Sequence, residues 1–413
     1  MDLLKGFKGK GLNIKKVAPG LSQSMTTSQE ALQTAVKTLQ TGSKTTAFRI
    51  DKLKQYGRGS LAYSSLQAGM QYYMNDKLGY CAYVPLSDSE DSVCVLADPI
   101  CSKENLRAFL DAFLLEKKDP IFLHASHDTA EILNERGFSV NELGVETIIE
   151  IQKFTLSGNK RQALRQARNN AKRDNLVCRE VLSSDPEMRK AFRKISEEWM
   201  KHKVMNDSEM QFIVRPIVYV DEIDVRKFVA LKDDTVVGFI IFDPIYENGK
   251  VKGYIANHLR SNLDRSYSVV DFILLEALDI FKAEGKEELS LGLSPLAKVD
   301  DSEEFRHSKL LTAHFKYSFE KANFLYNFKN LYRHKSKYRP ELPGAHEEKV
   351  YCCMKTRFLL VRIYDVYNVL GFHPIKQIIS HFGKAMTTTI RNITAGKSAS
   401  DLSKAESTEK HSQ

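Results

Sequence analysis

The densest chemical signal in the chain is a run of cations without anions. No acidic residue lies between Lys153 and Arg173, and Arg161, Arg165, Arg168 and Lys172 recur four, three and four apart. That spacing is helical, so the four cations form one stripe along a helix. Ser157 is placed to cap the helix, good helix formers fill it, and no proline interrupts it. Ala163, Leu164, Ala167 and Ala171 lie on a different side and are small enough for close packing. A single-sign stripe with no compensating carboxylate suits phosphate; the plain alternative is a solvated surface helix. Familiar catalytic signatures are missing: there is no P-loop, dinucleotide fingerprint, GxSxG elbow or HExxH pair. His124 and His127 have HxxH spacing but follow a strand and lack a third ligand nearby. Two turn or cap histidines are expected there rather than a metal site.

Positioning such residues falls to an alternating pattern that begins at Thr46. Strands are expected at 79–84, 92–97 and 120–124, with helices at 102–116 and 126–136 between them. Further strands at 138–143 and 145–151 complete a first α/β block over 46–152. The basic helix opens a second block, 153–345. It has a strand at 176–182, then a helix started by Asp185 and Pro186 that runs to about Lys203. A meander follows at 227–231, 236–243 and 253–259, its first turn at Lys232-Asp233-Asp234-Thr235, then a helix at 268–284 and a strand at 288–293. The order resembles the plan of GNAT acyltransferases, with the first block as a degenerate copy. The expected fold class is therefore α/β, two tandem GNAT-like domains joined by the basic helix.

Residues 350–381 mix Phe358, Leu359, Val361, Ile363, Val366, Leu370 and Phe372 with Arg357 and Arg362. A helical extension over 346–385 is expected, either packed on the catalytic domain, forming a dimer contact, or lying at a membrane interface. Residues 1–45 read as a peripheral arm with one helix at 28–39, and 386–413 as a polar disordered tail.

Five segments, in order, resemble the lysyl-phosphatidylglycerol synthase C-terminal domain family. They are Ala97-Asp98-Pro99, the basic run 156–167, Ile195-Ser196-Glu197-Glu198-Trp199, Leu291-Gly292-Leu293-Ser294-Pro295-Leu296, and the closing stretch 326–340. The resemblance covers roughly 46–341. It implies an enzyme that takes an aminoacyl group from aminoacyl-tRNA and passes it to a hydroxyl of an anionic membrane lipid, typically phosphatidylglycerol. The chemistry is transesterification, with no metal or bound cofactor. The family's site tetrapeptide, Asp-Leu-Met-Arg, falls here on Asn257-His258-Leu259-Arg260, followed by Val270-Asp271-Phe272.

Carried over residue by residue, the resemblance implies catalytic parts for Asn257, Arg260 and Lys335. It implies substrate binding by Arg161, Arg165, Arg168, Lys337 and Asp271. Lys335 and Lys337 would meet the tRNA acceptor end or a developing oxyanion; the plain alternative is a basic last turn of a helix. Arg260 is otherwise a strand-end surface arginine. Asn257 stands where the family has Asp, so either the donor is read differently here or activity is reduced or lost. No glycine-rich pyrophosphate loop is visible, which counts against acetyl-CoA as donor. The alternatives are a non-catalytic tRNA- or lipid-binding protein on the same fold, or an acyl-CoA-dependent N-acyltransferase.

Composition sets the outer bounds. At 413 residues the chain should hold two domains, since single cores rarely exceed ~250 residues. A net charge of +9 favours an anionic partner, nucleic acid or an acidic membrane surface. Six cysteines with no CxxC pair argue against a disulfide framework or zinc site and for a reducing cytosol. No signal-peptide core is present at the N-terminus, and no uncharged apolar run approaches the ~20 residues that span a bilayer. The expected setting is cytoplasmic, peripheral on the inner face of the membrane.

Overall fold

The computed structural model describes residues 44–372, except 87–90, 202–209, 263–267, 322–325 and 356. The helix expected at 28–39, residues 373–381 of the helical extension and the tail at 386–413 lie outside the described residues. The first half runs α1 (Lys44–Tyr56), β1 (Gln71–Asn75), β2 (Gly79–Pro85), β3 (Ser92–Leu96), β4 (Ile100–Cys101), α2 (Leu106–Glu116), β5 (Asp119–Ala125), α3 (His127–Glu135) and β6 (Ser139–Glu150). The second half opens with α4 (Gln162–Arg173), β7 (Val177–Glu180), α5 (Pro186–Lys201), β8 (Arg226–Lys232), β9 (Thr235–Glu247) and β10 (Lys250–Ser261). It continues with α6 (Val269–Ala283), β11 (Glu288–Pro295), α7 (Lys309–Lys321), α8 (Phe328–Ser336), β12 (Ala345–Met354) and α9 (Leu359–Val369).

Each half repeats one plan: an antiparallel meander, a helix, and a strand that returns parallel to the meander's last member. In the first half α2 carries the chain from β3 to β5, and in the second α6 carries it from β10 to β11. The strand order is β1-β2-β3-β5-β12-β6-β11-β10-β9-β8-β7, a single sheet in which the halves interlock. β12, from the second half, lies against β5 of the first; β6, from the first half, lies against β11 of the second. α1 adds a further tie. Its Leu53 packs in one cluster with Tyr80 of β2 and Tyr246 of β9. The sheet thus runs unbroken across residue 152, where the sequence suggested a boundary.

Most expected elements are present, and the local reasons are visible. Asp233 and Asp234 both take positive φ (+47° and +61°), giving the two-residue hairpin between β8 and β9. Ser126 Oγ caps α3 and Ser268 Oγ caps α6, each accepting a backbone N–H. The strands expected at 138–143 and 145–151 are one strand, β6, which contains Gly144 at φ +148°. A Cβ at Gly144 would lie 2.3 Å from the Ser294 carbonyl oxygen, so only glycine permits that approach.

Two expectations are corrected. Residues 350–354, expected to begin a helix, are the end of β12, and α9 starts only at Leu359. Val350 to Met354 are all buried because β12 is inserted between two strands, and a strand covered on both faces reads as a plain apolar run. Ser157 does not cap the basic helix: its Oγ bonds Thr155 Oγ, and α4 begins at Gln162, after a 3-10 turn over Asn159–Arg161.

α9 itself is two-faced. Ile363, Val366, Tyr367 and Leu370 pack on the core that holds Leu123, Cys352 and Phe372, while Leu360, Val361 and Tyr364 are exposed. Among the described residues no helix is long and apolar enough to cross a membrane.

Candidate active site

The parallel pair β10 and β11 holds together for only three residues, Gly253–Ile255 against Glu288–Ser290, and then parts. Both strands are irregular just beyond that point. On β10 the register against β9 slips between Ala256 and His258, making Asn257 the extra residue of a bulge. On β11 the register against β6 slips between Ser290 and Leu293, with Gly292 at φ +74°. A Cβ on Gly292 would lie 3.5 Å from Ile255 and 3.7 Å from the Lys335 Nζ, ordinary contact distances, so the backbone conformation and not the space asks for glycine.

Lys335, from α8, is buried, and its Nζ donates to the Leu293 carbonyl oxygen at 2.6 Å. Burial pulls its pKa down to about 7, against the opposing pull of Glu146. Glu146, on β6, accepts from Ser290 Oγ and lies 3.4 Å from His124 Nε2. Ser290 Oγ in turn accepts the Gly292 N–H at 2.8 Å. The group is a buried amine, able to exchange a proton at neutral pH, with one carboxylate behind it.

Arg260 ends β10. It is 6% exposed, and its guanidinium sits 3.7 Å from the centre of the Trp199 ring, the only tryptophan of the chain. Burial lowers its pKa to about 10, which leaves it cationic at neutral pH. A desolvated cation on an indole face is worth about 2 kcal/mol, enough to fix its direction. The surface-arginine alternative is excluded by its burial.

Asn257 donates from Nδ2 to Asp243 Oδ2 at 2.6 Å. Asp243, fully buried on β9, also accepts from Arg215 Nε at 2.7 Å and Nη2 at 2.5 Å, and Arg215 holds Glu222 at 2.9 and 3.1 Å. Burial opposes the charge of Arg215, but Asp243 and Glu222 outweigh it and raise its pKa. His258 points into the same core, where burial and then Arg215 push its pKa down to about 3.

The other sequence-derived residues are tied to the protein itself. Asp271 is 1% exposed and accepts from the Tyr338 hydroxyl at 3.0 Å and Lys337 Nζ at 3.1 Å, so the pair fastens α8 to the start of α6. Arg161 is buried over the Phe154 ring and donates to the Thr155 and Pro343 carbonyls at 2.7 and 3.1 Å. Arg165 donates to the Leu156 and Gly158 carbonyls at 2.5 Å. Arg168 pairs with Glu276 at 3.1 Å and Asp279 at 2.9 Å of α6, and Lys172 lies 3.8 Å from Glu276. Half of the stripe, Arg168 and Lys172, therefore has its compensating carboxylates on another helix, and the other half, Arg161 and Arg165, bonds backbone carbonyls. Of the HxxH pair, His124 faces Glu146 and His127 bonds Glu304 at 2.7 Å. Among the described residues no cluster of three or more side chains could hold a metal ion.

Asn257 and Lys335 thus lie where β10 parts from β11, with Arg260 three residues further along β10 against Trp199, while Asp271, Lys337 and the arginine stripe brace neighbouring elements. Glu146, Ser290, Asp243, Arg215 and Glu222 escaped the sequence reading. Only Asp243 left a local trace, a carboxylate closing the apolar run Val236 to Phe242.

The family model for the C-terminal part of phosphatidylglycerol lysyltransferase matches residues 50–354. The chain belongs to that family. Among curated proteins, the phosphatidylglycerol lysyltransferase of Staphylococcus xylosus is 26% identical over 70% of this chain and 34% of its own length. That of Bacillus subtilis is 24% identical, over 67% and 31%. The chain therefore spans about a third of these phosphatidylglycerol lysyltransferases. Of solved structures, L-PGS from Bacillus licheniformis superposes with a TM-score of 0.65 at 20% identity, covering 79% of this chain and 96% of its own. A C-terminal domain assigned to a lysylphosphatidylglycerol synthetase of Agrobacterium fabrum gives 0.63 at 19%, with the same coverage. At such identities the structures speak for the fold. The phosphatidylglycerol lysyltransferase C-terminal fold here is α/β and GNAT-like.

Proposed function

We propose that the protein moves an aminoacyl group from aminoacyl-tRNA to a hydroxyl of an anionic membrane lipid such as phosphatidylglycerol. The observation that carries this reading is Lys335: a buried amine, its pKa pulled to about 7, held to the Leu293 carbonyl just beyond the point where β10 and β11 part. The lipid hydroxyl oxygen bonds to the aminoacyl carbonyl carbon, and the bond from that carbon to the ribose oxygen of the tRNA breaks. Neutral Lys335 takes the hydroxyl proton and returns it to the departing ribose oxygen. Arg260 stabilises the oxyanion formed between the two events. No metal or bound cofactor takes part.

Membership of the family and its named lysyltransferases support the lipid acceptor; the net charge of +9 supports two anionic substrates. Arg161, Arg165, Arg168, Asp271 and Lys337 act by holding the loop and α8 in place beside the donor. The exposed Leu360, Val361 and Tyr364, which share one face of α9, meet the inner, cytoplasmic face of the membrane.

The test is incubation with labelled aminoacyl-tRNAs and phosphatidylglycerol vesicles, followed by chloroform extraction. RNase-sensitive label in the lipid fraction is expected. Label absent with all twenty charged tRNAs, while tRNA or lipid still binds, would leave a non-catalytic binding protein; binding of acyl-CoA instead would point to an N-acyltransferase.

A further inference from the structure

We infer that α7 and α9 together form one membrane-docking platform, a double row of apolar side chains with a cationic rim that fits the surface of an anionic bilayer. The inference rests on the membrane contact proposed above for α9 and extends it to α7. Exposed apolar groups are spread unevenly over the protein. Of the twelve large apolar side chains that the described residues leave exposed, six fall in two short stretches: Leu310 and Tyr317 on α7, and Phe358, Leu360, Val361 and Tyr364 at the start of α9. Single exposed apolar residues need no reason, whereas a contiguous patch marks a binding surface.

The two stretches adjoin. His314 Nε2 of α7 and the Tyr367 hydroxyl of α9 are 2.9 Å apart, their rings stand edge to face at 5.8 Å, and Ser318 Oγ lies 3.4 Å from the same hydroxyl. On α7, Leu310 and Tyr317 stand four residues before and three after His314, so the three share one ridge of the helix. On α9, Leu360 and Tyr364 stand seven and three residues before Tyr367 and share its ridge in the same way. Each helix turns its opposite side to the core, where Leu311 and Phe315 of α7 pack with Ile363 and Val366 of α9. The two exposed rows therefore flank the line of contact on its solvent side and make one surface. α9 lies beyond residues 50–354, so this surface is not set by the family match.

Charge decides the occupant. The exposed charged residues of α7 are Lys309, Lys316, Glu320 and Lys321, and exposed Arg357 precedes α9, four cations to one anion. Lys316 pairs with Asp300 at 2.8 Å and Glu320 with Lys329 at 2.6 Å. Lys309, Lys321 and Arg357, which have no carboxylate partner among the described residues, set the sign of the rim. A second copy of the chain would bring this rim against itself across a two-fold axis, like charge on like. An anionic bilayer satisfies both parts of the surface: the apolar rows enter the acyl boundary, and the rim meets the headgroups.

The experiment is co-sedimentation of the full chain with vesicles of phosphatidylcholine alone, or of phosphatidylcholine and phosphatidylglycerol in equal parts. The mixed vesicles should bind about 10- to 100-fold more tightly, with the preference fading as salt rises. Leu310→Gln/Tyr317→Gln and Leu360→Gln/Val361→Gln should each weaken binding about tenfold and leave the melting temperature unchanged, since all four side chains are exposed. Lys309→Gln/Lys321→Gln/Arg357→Gln should remove the preference for anionic vesicles. Binding abolished by the α9 pair but untouched by the α7 pair would overturn the joint platform. Equal binding to both vesicles would overturn the anionic partner, and no vesicle binding by the full chain would overturn the inference outright. A dimer in solution that the same substitutions disperse would make the face an interface between copies instead. Failure here and failure of the transfer reaction are told apart by the lipid product. Wild type that binds vesicles through this face yet forms no aminoacyl lipid sinks the transfer alone; transfer with vesicle binding unmoved by either pair sinks the platform alone.

Discussion

The two halves follow one plan, yet differ where their parallel strands meet. In the first half β3 and β5 stay in register for five residues, Ser92–Leu96 against Asp119–Leu123, and no bulge interrupts β2 against β3. Cys94, Leu96, Ile121 and Leu123 fill that seam. In the second half the pair opens after three residues, both strands bulge, and the seam is lined by Asn257, Gly292 and Lys335. A closed seam is a core; an opened one exposes backbone and side chains that must be justified by chemistry. The comparison favours the second half as the place of the proposed reaction. It does not make the first half a passive copy, because β6 crosses over and delivers Glu146 to Lys335.

That exchange of strands gives the largest expected effect. Expressed apart, 44–155 and 156–372 each lack the strand that flanks their parallel pair, β12 for one and β6 for the other. Neither fragment should fold alone, and co-expressed they should recover a single cooperative transition. A fragment with its own sharp melting transition would break the idea of interlocked halves and restore two separable domains.

Next is the opened seam itself. Lys335→Met should lower transfer by about 10²- to 10⁴-fold, the usual worth of a general base, with melting temperature held or raised, since a buried polar group is replaced by an apolar one. In the unaltered protein transfer should rise as pH passes through about 7, where Lys335 becomes neutral. Glu146→Gln should move that rise to lower pH, because Glu146 favours the charged amine. A pH profile unmoved by Glu146→Gln would remove the first half from the reaction. A substitution in the closed seam, Val95→Ala, should cost about 1–3 kcal/mol of stability and leave the pH profile alone.

Gly292→Ala is a finer probe of the same difference. Its φ of +74° disfavours any side chain, and the new methyl would sit 3.7 Å from the Lys335 Nζ. A loss of about 1–2 kcal/mol is expected from the backbone alone. Nζ is at ordinary contact distance from the added methyl, so the effect on rate should be small beside that of Lys335→Met. If rate falls as far as in Lys335→Met, Gly292 serves the donor directly.

How much of this was legible depended on range. Caps and turns such as Ser126, Ser268 and the Asp233-Asp234 hairpin are local, and local propensity predicts them. The arginine stripe is helical from Arg165 on, with Arg161 in the 3-10 turn before it, and its partners are not legible locally, because Glu276 and Asp279 reach Arg168 only once α6 folds against α4. The end of β12 reads as helix in the sequence because a strand covered on both faces loses its alternation. The motif residues pointed to Asn257, Arg260 and Lys335, but the groups that tune them, Asp243 and Glu146, come from other strands. Register is a property of the sheet, and no spacing along one segment reveals it.

The smallest effect concerns His258, which has no match in the closed half: a fully buried imidazole beside Arg215, its pKa lowered by burial to about 3. In the unfolded chain the same group titrates near ~6.5. Between those values the unfolded chain binds a proton that the folded chain refuses, so stability falls as pH drops, by up to about 1.4 kcal/mol per unit. The contribution is fully present above ~6.5 and vanishes as pH falls toward 3. Chemical denaturation at pH 7, 6 and 5 should show that slope in the full chain, and His258→Leu should flatten it. Asp243 and Lys227 face the same imidazole, so the variant removes one slope among several; an unchanged slope would mean that acid acts first on the carboxylates around Arg215.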